Sequence, residues 1–89
     1  MRDEGLLRVV RIHVRAAGLY KYQVAYVRQR TGFDEDGDRA RFVNVGVRPR
    51  KGHASLDEGE LDSIVKATKR GLGELNLSDR FTYIHLEDA

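Results

Sequence analysis

The chain has 89 residues, a formal net charge of +2, one Pro and no Cys. That length makes one small domain. The absence of Cys excludes disulfides and thiolate metal sites. No apolar run reaches the roughly 18 residues of a membrane span, and no uninterrupted apolar stretch at the N-terminus reads as a signal peptide. The expectation is therefore a cytoplasmic protein away from the membrane. The charge is unevenly placed. Through Leu56 there are 12 Lys/Arg and 6 Asp/Glu, and from Asp57 onward 4 and 8. A basic front on an acidic back suggests an oriented surface.

Residues 1–5 read as a flexible end. Leu6 to Arg15 alternates: Leu6, Arg8, Val10, Ile12 and Val14 take one side, and Leu7, Val9, Arg11, His13 and Arg15 the other. Period two with β-branched residues predicts a strand. Ala16-Ala17-Gly18 gives a turn. Leu19 to Arg30 gives a second strand, with Tyr20, Tyr22, Val24 and Tyr26 on one face. The short link makes the two an antiparallel hairpin.

Thr31 to Asp38 is a hairpin tip built around Asp36-Gly37. Its carboxylates do not match a calcium loop starting at Asp34. The sixth position holds Arg39 instead of Gly, and the twelfth holds Val45 instead of Glu. Arg39 to Arg48 is a third strand, in which Gly46 marks a bulge or a close backbone approach. Pro49 ends regular pairing because it has no N–H to donate. Arg48 to His53 is then a basic loop.

Ser55 to Glu58 fits a capping box, so a helix is predicted from Ser55. Leu61, Ile64, Val65, Thr68 and Leu72 form its apolar stripe, and Gly71 or Gly73 its stop. Leu75 to Asp79 connects to a last strand, Arg80 to Glu87. The predicted fold is α+β: a mostly antiparallel four-stranded sheet with one helix packed on one face, in the order β-β-β-α-β. The pattern leaves either face open to the helix. Both faces carry apolar groups, more than one helix covers, which predicts a homodimer.

No residue set for catalysis emerges, so the expectation is a non-enzyme. Ser55 reads as a cap, and no nucleophile elbow surrounds it, Ser63 or Ser78. His13, His53 and His85 show no metal-ligand spacing, and no glycine-rich phosphate loop stands between a strand and a helix; neither a metal nor a cofactor is expected. What remains is Arg and Lys interleaved with aromatics: Arg11, Arg15 and Lys21 on the first hairpin, then Arg41, Arg48, Arg50 and Lys51 on and after the third strand. Cations that follow phosphates, with rings that stack on bases, suit single-stranded nucleic acid. Tyr20, Tyr22 and Tyr26 are the candidate stacking rings, with core packing as the alternative for each. A rival expectation is a small interaction or regulatory module that meets a protein partner through an exposed sheet face or edge.

The order of a hairpin, a further strand, a basic Pro-containing loop and a Ser-Leu helix start resembles the transcriptional coactivator family typified by positive cofactor four. The residues that carry the likeness are Arg48-Pro49-Arg50-Lys51-Gly52-His53-Ala54-Ser55-Leu56, with Leu61 and Ile64 on the helix. It spans about residues 10 to 70, and the Arg80–Glu87 strand has no counterpart in it. The resemblance implies a dimer whose sheets bind single-stranded DNA with little sequence preference. It also implies contacts from Arg11, Arg15, Lys21, Arg48, Arg50 and Lys51.

Overall fold

The structure is a computed structural model that describes residues 2–52, 56–77 and 81–89. Its order is α1 (Glu4–Ala16), β1 (Tyr22–Phe33), β2 (Arg39–Pro49), α2 (Glu58–Glu74) and β3 (Thr82–Asp88). Two helices and a three-stranded mixed sheet replace the expected one helix and four mostly antiparallel strands. The sheet order is β1-β2-β3. β1 and β2 are antiparallel, whereas β3 runs parallel to β2, as a helical crossover between neighbouring strands allows.

The first correction is α1, expected as a strand. Leu6, Val10 and Val14 are spaced by four, so they satisfy both periods. Leu7 and Ile12 decide between them. Leu7 is buried beside Leu6, while Ile12 is 57% exposed, which is a helical stripe and not an alternating one. The helix is also capped. The Asp3 carboxylate accepts a hydrogen bond from the Leu6 N–H at 2.9 Å. Glu4 sits in the first turn and His13 and Arg15 in the last, matching the sign of the helix dipole. The expected loose end is tied down: the Asp3 N–H donates to the Val27 carbonyl at 2.8 Å, and Arg2 bridges to Arg28.

The true hairpin joins β1 to β2. Its register shifts between Val24 and Tyr26, so Ala25 is an extra residue and the faces exchange there. Tyr22 and Val24 point inward with Val27; Tyr26 points outward and does not share their face as alternation predicted. Gly46 answers this bulge. A Cβ there would lie 2.2 Å from the Tyr26 ring, so the ring packs flat on bare backbone.

One core fills the space between the sheet and both helices. It contains Leu6, Leu7, Val10 and Val14 from α1, Val27, Val43, Val45 and Val47 from the sheet, and Ile64, Ala67 and Leu72 from α2. Both helices therefore cover the same sheet face. α2 does not stop at Gly71 or Gly73; it runs to Glu74, and Asn76 takes the left-handed conformation (φ 56°) beyond it. Gly71 is buried against α1, where a Cβ would stand 3.3 Å from Val9 and 3.4 Å from Val10. Its missing side chain lets the helices approach. The cap of α2 is Asp57, which accepts from the Glu60 N–H at 3.0 Å, two residues later than the sequence suggested. Ser55 and His53 lie outside the described residues.

Candidate nucleic-acid interface

The start of β1 is held by α2. The Glu60 carboxylate, 8% exposed, accepts backbone N–H groups from Lys21 at 2.8 Å and Tyr22 at 3.0 Å, and more distantly from Tyr20 at 3.4 Å. These donors would otherwise be unpaired at the beginning of an edge strand. Lys21 Nζ meets the Asp57 carboxylate at 2.6 Å. This contact holds the Asp57 carboxyl below its ordinary range, and it raises the Lys21 ammonium above its own. The Asp57 N–H in turn donates to the Tyr22 hydroxyl at 2.9 Å. On the far side the Arg50 N–H donates to the Lys21 carbonyl at 2.9 Å. One network thus fixes the approach to β1 between α2 and the end of β2.

That fixed segment forms one wall of a groove of about 460 Å³; the end of α1 forms the other. Arg11, Val14, Arg15, Gly18, Leu19, Tyr20, Tyr22, Gln23, Val24 and Arg50 line it. Three arginines line it, Arg11 and Arg15 from α1 and Arg50 from just past the end of β2, and no Asp or Glu is among its described lining residues. Arg11 is oriented by its Nε, which donates to the Val24 carbonyl at 3.0 Å. Arg15 and Arg50 are exposed. A smaller groove of about 310 Å³ along α1 shares Arg11 and Arg15 and adds Arg8, with Glu4 at its start, so the arginines continue along the helix at i, i+3 and i+7.

The expected site residues are thus partly gathered and partly dispersed. Arg11 and Arg15 share the groove with Arg50 and Tyr20, but they reach it from a helix and not from a sheet face. Tyr20 is 60% exposed at the rim. Tyr22 is 5% exposed and committed to Asp57, so its ring packs as core. Lys21 is occupied by Asp57. Arg48 pairs with Gln23 across the ladder, placing it beside the groove, with Lys51 exposed in the adjoining turn. Arg41 lies away from the groove, hydrogen-bonded to the Gln29 side chain.

The uncovered sheet face holds Tyr26, a candidate ring from the sequence, among arginines that the sequence does not single out. Arg2 and Arg28 lie 4.9 and 4.5 Å from the Tyr26 ring centre, and Arg30 lies 4.3 Å from that of Phe42. Phe42 stacks on Tyr83 at 5.6 Å. Arg28, Arg30 and Tyr26 were legible as residues of the second strand, but the bulge that turns Tyr26 outward was not. At the hairpin tip Asp34, Asp36 and Asp38 bring carboxylate oxygens within 4.8 Å of one another. Asp34 accepts from the Asp36 and Asp38 N–H groups and from the Tyr83 hydroxyl at 3.0 Å. That hydroxyl is held above the ordinary tyrosine range, first by its hydrogen bond to Asp34. The molecule is therefore polar along its length. The tip is acidic, and the opposite end, with the groove, is basic. No helix among the described residues is long and apolar enough to cross a membrane.

No family model matches the chain, and neither a curated protein nor a solved structure matches it.

Proposed function

We propose that this protein binds single-stranded nucleic acid, DNA or RNA, with little sequence preference. In this reading Arg11, Arg15 and Arg50 hold phosphates in the groove between α1 and the start of β1. Arg48, Lys51 and Arg8 extend the track, and Tyr20 offers a ring to an unstacked base. The observation that carries the reading is that three arginines, and no Asp or Glu, are among the described residues that line the groove. Such a concentration of like charge favours a polyanion.

A linear polyanion suits the arrangement better than a single small anion, because the cations are strung along a helix face and a loop. Guanidinium contacts to phosphate position a strand without reading its bases, hence the weak sequence preference. An exposed ring stacks on bases only where they are unpaired, hence the single strand. The acidic tip repels phosphate and confines the contact to the basic end. Polarisation titrations of labelled oligonucleotides at low and moderate salt test the reading. Affinity that falls as salt rises is expected, since phosphate contacts release counterions. No binding at low salt, or affinity indifferent to salt, would overturn it.

A further inference from the structure

The two outer edges of the sheet are treated differently. The edge of β1 is covered. Arg2 bridges to Arg28, Asp3 donates to the Val27 carbonyl, and the Arg11 Nε donates to that of Val24. From Ile84 to Asp88 the edge of β3 has no such cover among the described residues, and within the sheet β3 is paired with β2. This stretch, IHLED, contains neither Lys nor Pro, the residues that most often blunt an open edge, and carries its charges only at Glu87 and Asp88.

The ladder determines what this edge presents. Arg41 donates to the Phe81 carbonyl and Ala89 donates to that of Val47, both at 2.9 Å. Odd-numbered residues of β3 therefore turn their backbone groups toward β2. In a parallel ladder the alternate residues turn theirs away, so Ile84, Leu86 and Asp88 offer N–H and C=O groups outward. Nearby, the Glu87 Oε1 atom is buried with no hydrogen-bond partner among the described residues. His85 is exposed on the same sheet face, likewise with no partner of its own among them.

We propose that β3 pairs antiparallel with β3 of a second copy, about a two-fold axis at Leu86, to form a six-stranded sheet. This register sets Leu86 against Leu86 and Ile84 against Asp88 as hydrogen-bonded pairs. It also sets His85 of each copy against Glu87 of the other, as non-hydrogen-bonded neighbours with their side chains close. Each imidazole then lies beside a carboxylate whose Oε1 has no partner among the described residues of its own chain. A parallel pairing would instead align Glu87 and Asp88 with themselves, carboxylate on carboxylate. Leu86 from both copies meets on the inner face, extending the core past the edge, where Leu61 is only half buried and Leu56 is 71% exposed. The chain exposes 6040 Å², whereas a free-standing chain of its 10.1 kDa exposes about 5,300 Å². The excess approaches the roughly 800 Å² that each partner contributes to a standard interface.

Sedimentation velocity and light scattering on the full chain, without nucleic acid, test this independently of the proposed function. A mass of twice 10.1 kDa that falls to the monomer on dilution is expected. His85→Glu places carboxylates face to face at both ends of the pairing, so the dimer dissociation constant should rise at least about tenfold; adding Glu87→His to the same chain reverses the pair and restores the dimer. Leu86→Pro removes an outward N–H and leaves the β2 ladder intact, so it gives a monomer with unchanged far-ultraviolet dichroism; if that variant unfolds, the His85 and Glu87 exchange decides. A chain that stays monomeric at every concentration, or a dimer that His85→Glu leaves intact, overturns the proposal.

Discussion

Arg15 and Arg50 line the groove with exposed side chains, and neither side chain is part of the network that holds β1; Arg50 joins it only through its backbone N–H, which Gln keeps. Replacing both with Gln therefore removes two cations without a folding penalty. With Arg11, Arg15 and Arg50 each neutralising one phosphate, these three contribute about −2 to the slope of the logarithm of single-strand affinity against the logarithm of salt, in addition to the contribution of Arg8, Arg48 and Lys51. The double variant loses two of the contacts, so its slope should be shallower by about 1.4. Between about 50 and 200 mM salt the unmodified protein should therefore lose roughly 7-fold more affinity than the variant loses. Near 0.1 M salt the variant should bind roughly 25-fold more weakly. Polarisation titrations with two oligonucleotides of unrelated sequence measure all of this. Arg15→Lys with Arg50→Lys keeps both charges and should keep the slope. If the Gln variant retains the original slope and affinity, the groove is not the phosphate site. If its loss appears with only one of the two sequences, the contacts read bases and the mechanism argued here is wrong.

Other perturbations probe the framework around that groove. Glu60→Ala strands three backbone donors, so it should cost about 3 kcal/mol and lower Tm by roughly 12–24 °C in a thermal melt; Glu60→Gln keeps an acceptor and should cost less. Gly46→Ala drives a methyl group into the Tyr26 ring, so a urea titration should show a loss of about 1–3 kcal/mol. Because Asp34 holds the Tyr83 hydroxyl above its ordinary range, an ultraviolet titration should show one tyrosine ionising above the ordinary tyrosine range, and Asp34→Asn should shift that step to lower pH. The sign follows from linkage. The folded state keeps that proton longer, so the contact stabilises fully below the unfolded tyrosine pKa and is lost as pH rises through the folded one.

The strands β1 and β2, the helix α2 and the last strand could be read from alternation, turn residues and helical spacing. The first element could not, for a specific reason. Leu6, Val10 and Val14 recur every fourth residue, which is compatible with period two and with a helix. The β-branched composition favours a strand, and only the adjacent pair Leu6–Leu7, together with Asp3 as a cap, argues for the helix. That single misreading put a fourth strand before Gly18 where the structure has α1, and it placed Arg11 and Arg15 on a sheet. The residues that form the groove were nevertheless largely legible, because charge on an exposed helix face and charge on an exposed strand face look alike in sequence. Glu60 was missed. Its position three residues after Asp57 suggests a capping box, yet its carboxylate turns from its own helix to the backbone of Tyr20, Lys21 and Tyr22. Only the tertiary arrangement reveals such a contact between residues about 40 positions apart.

The uneven charge of the sequence takes on a structural meaning here. Two carboxylates of the acidic half, Asp57 and Glu60, are consumed internally: one neutralises Lys21, and the other closes backbone donors at the entrance to β1. Neither reaches the lining of the groove. Glu74 is spent on His13 at 2.6 Å, and Asp62 pairs with Lys66 within α2. The acidic residues of the hairpin tip stand at the far end of β1. Carboxylates therefore brace the fold while leaving Arg11, Arg15 and Arg50 uncompensated in the groove, and a nearly neutral chain can still present a concentrated positive field at one end. Two copies joined through β3 would carry such a groove at each outer strand of the six-stranded sheet, about 24 Å apart across the sheet by strand spacing and further displaced along the strands by the antiparallel pairing. One strand of nucleic acid long enough to span both would bind with an avidity that neither groove has alone. A length series of oligonucleotides should then show a step in affinity, and His85→Glu should remove the step while leaving the binding of short oligonucleotides unchanged.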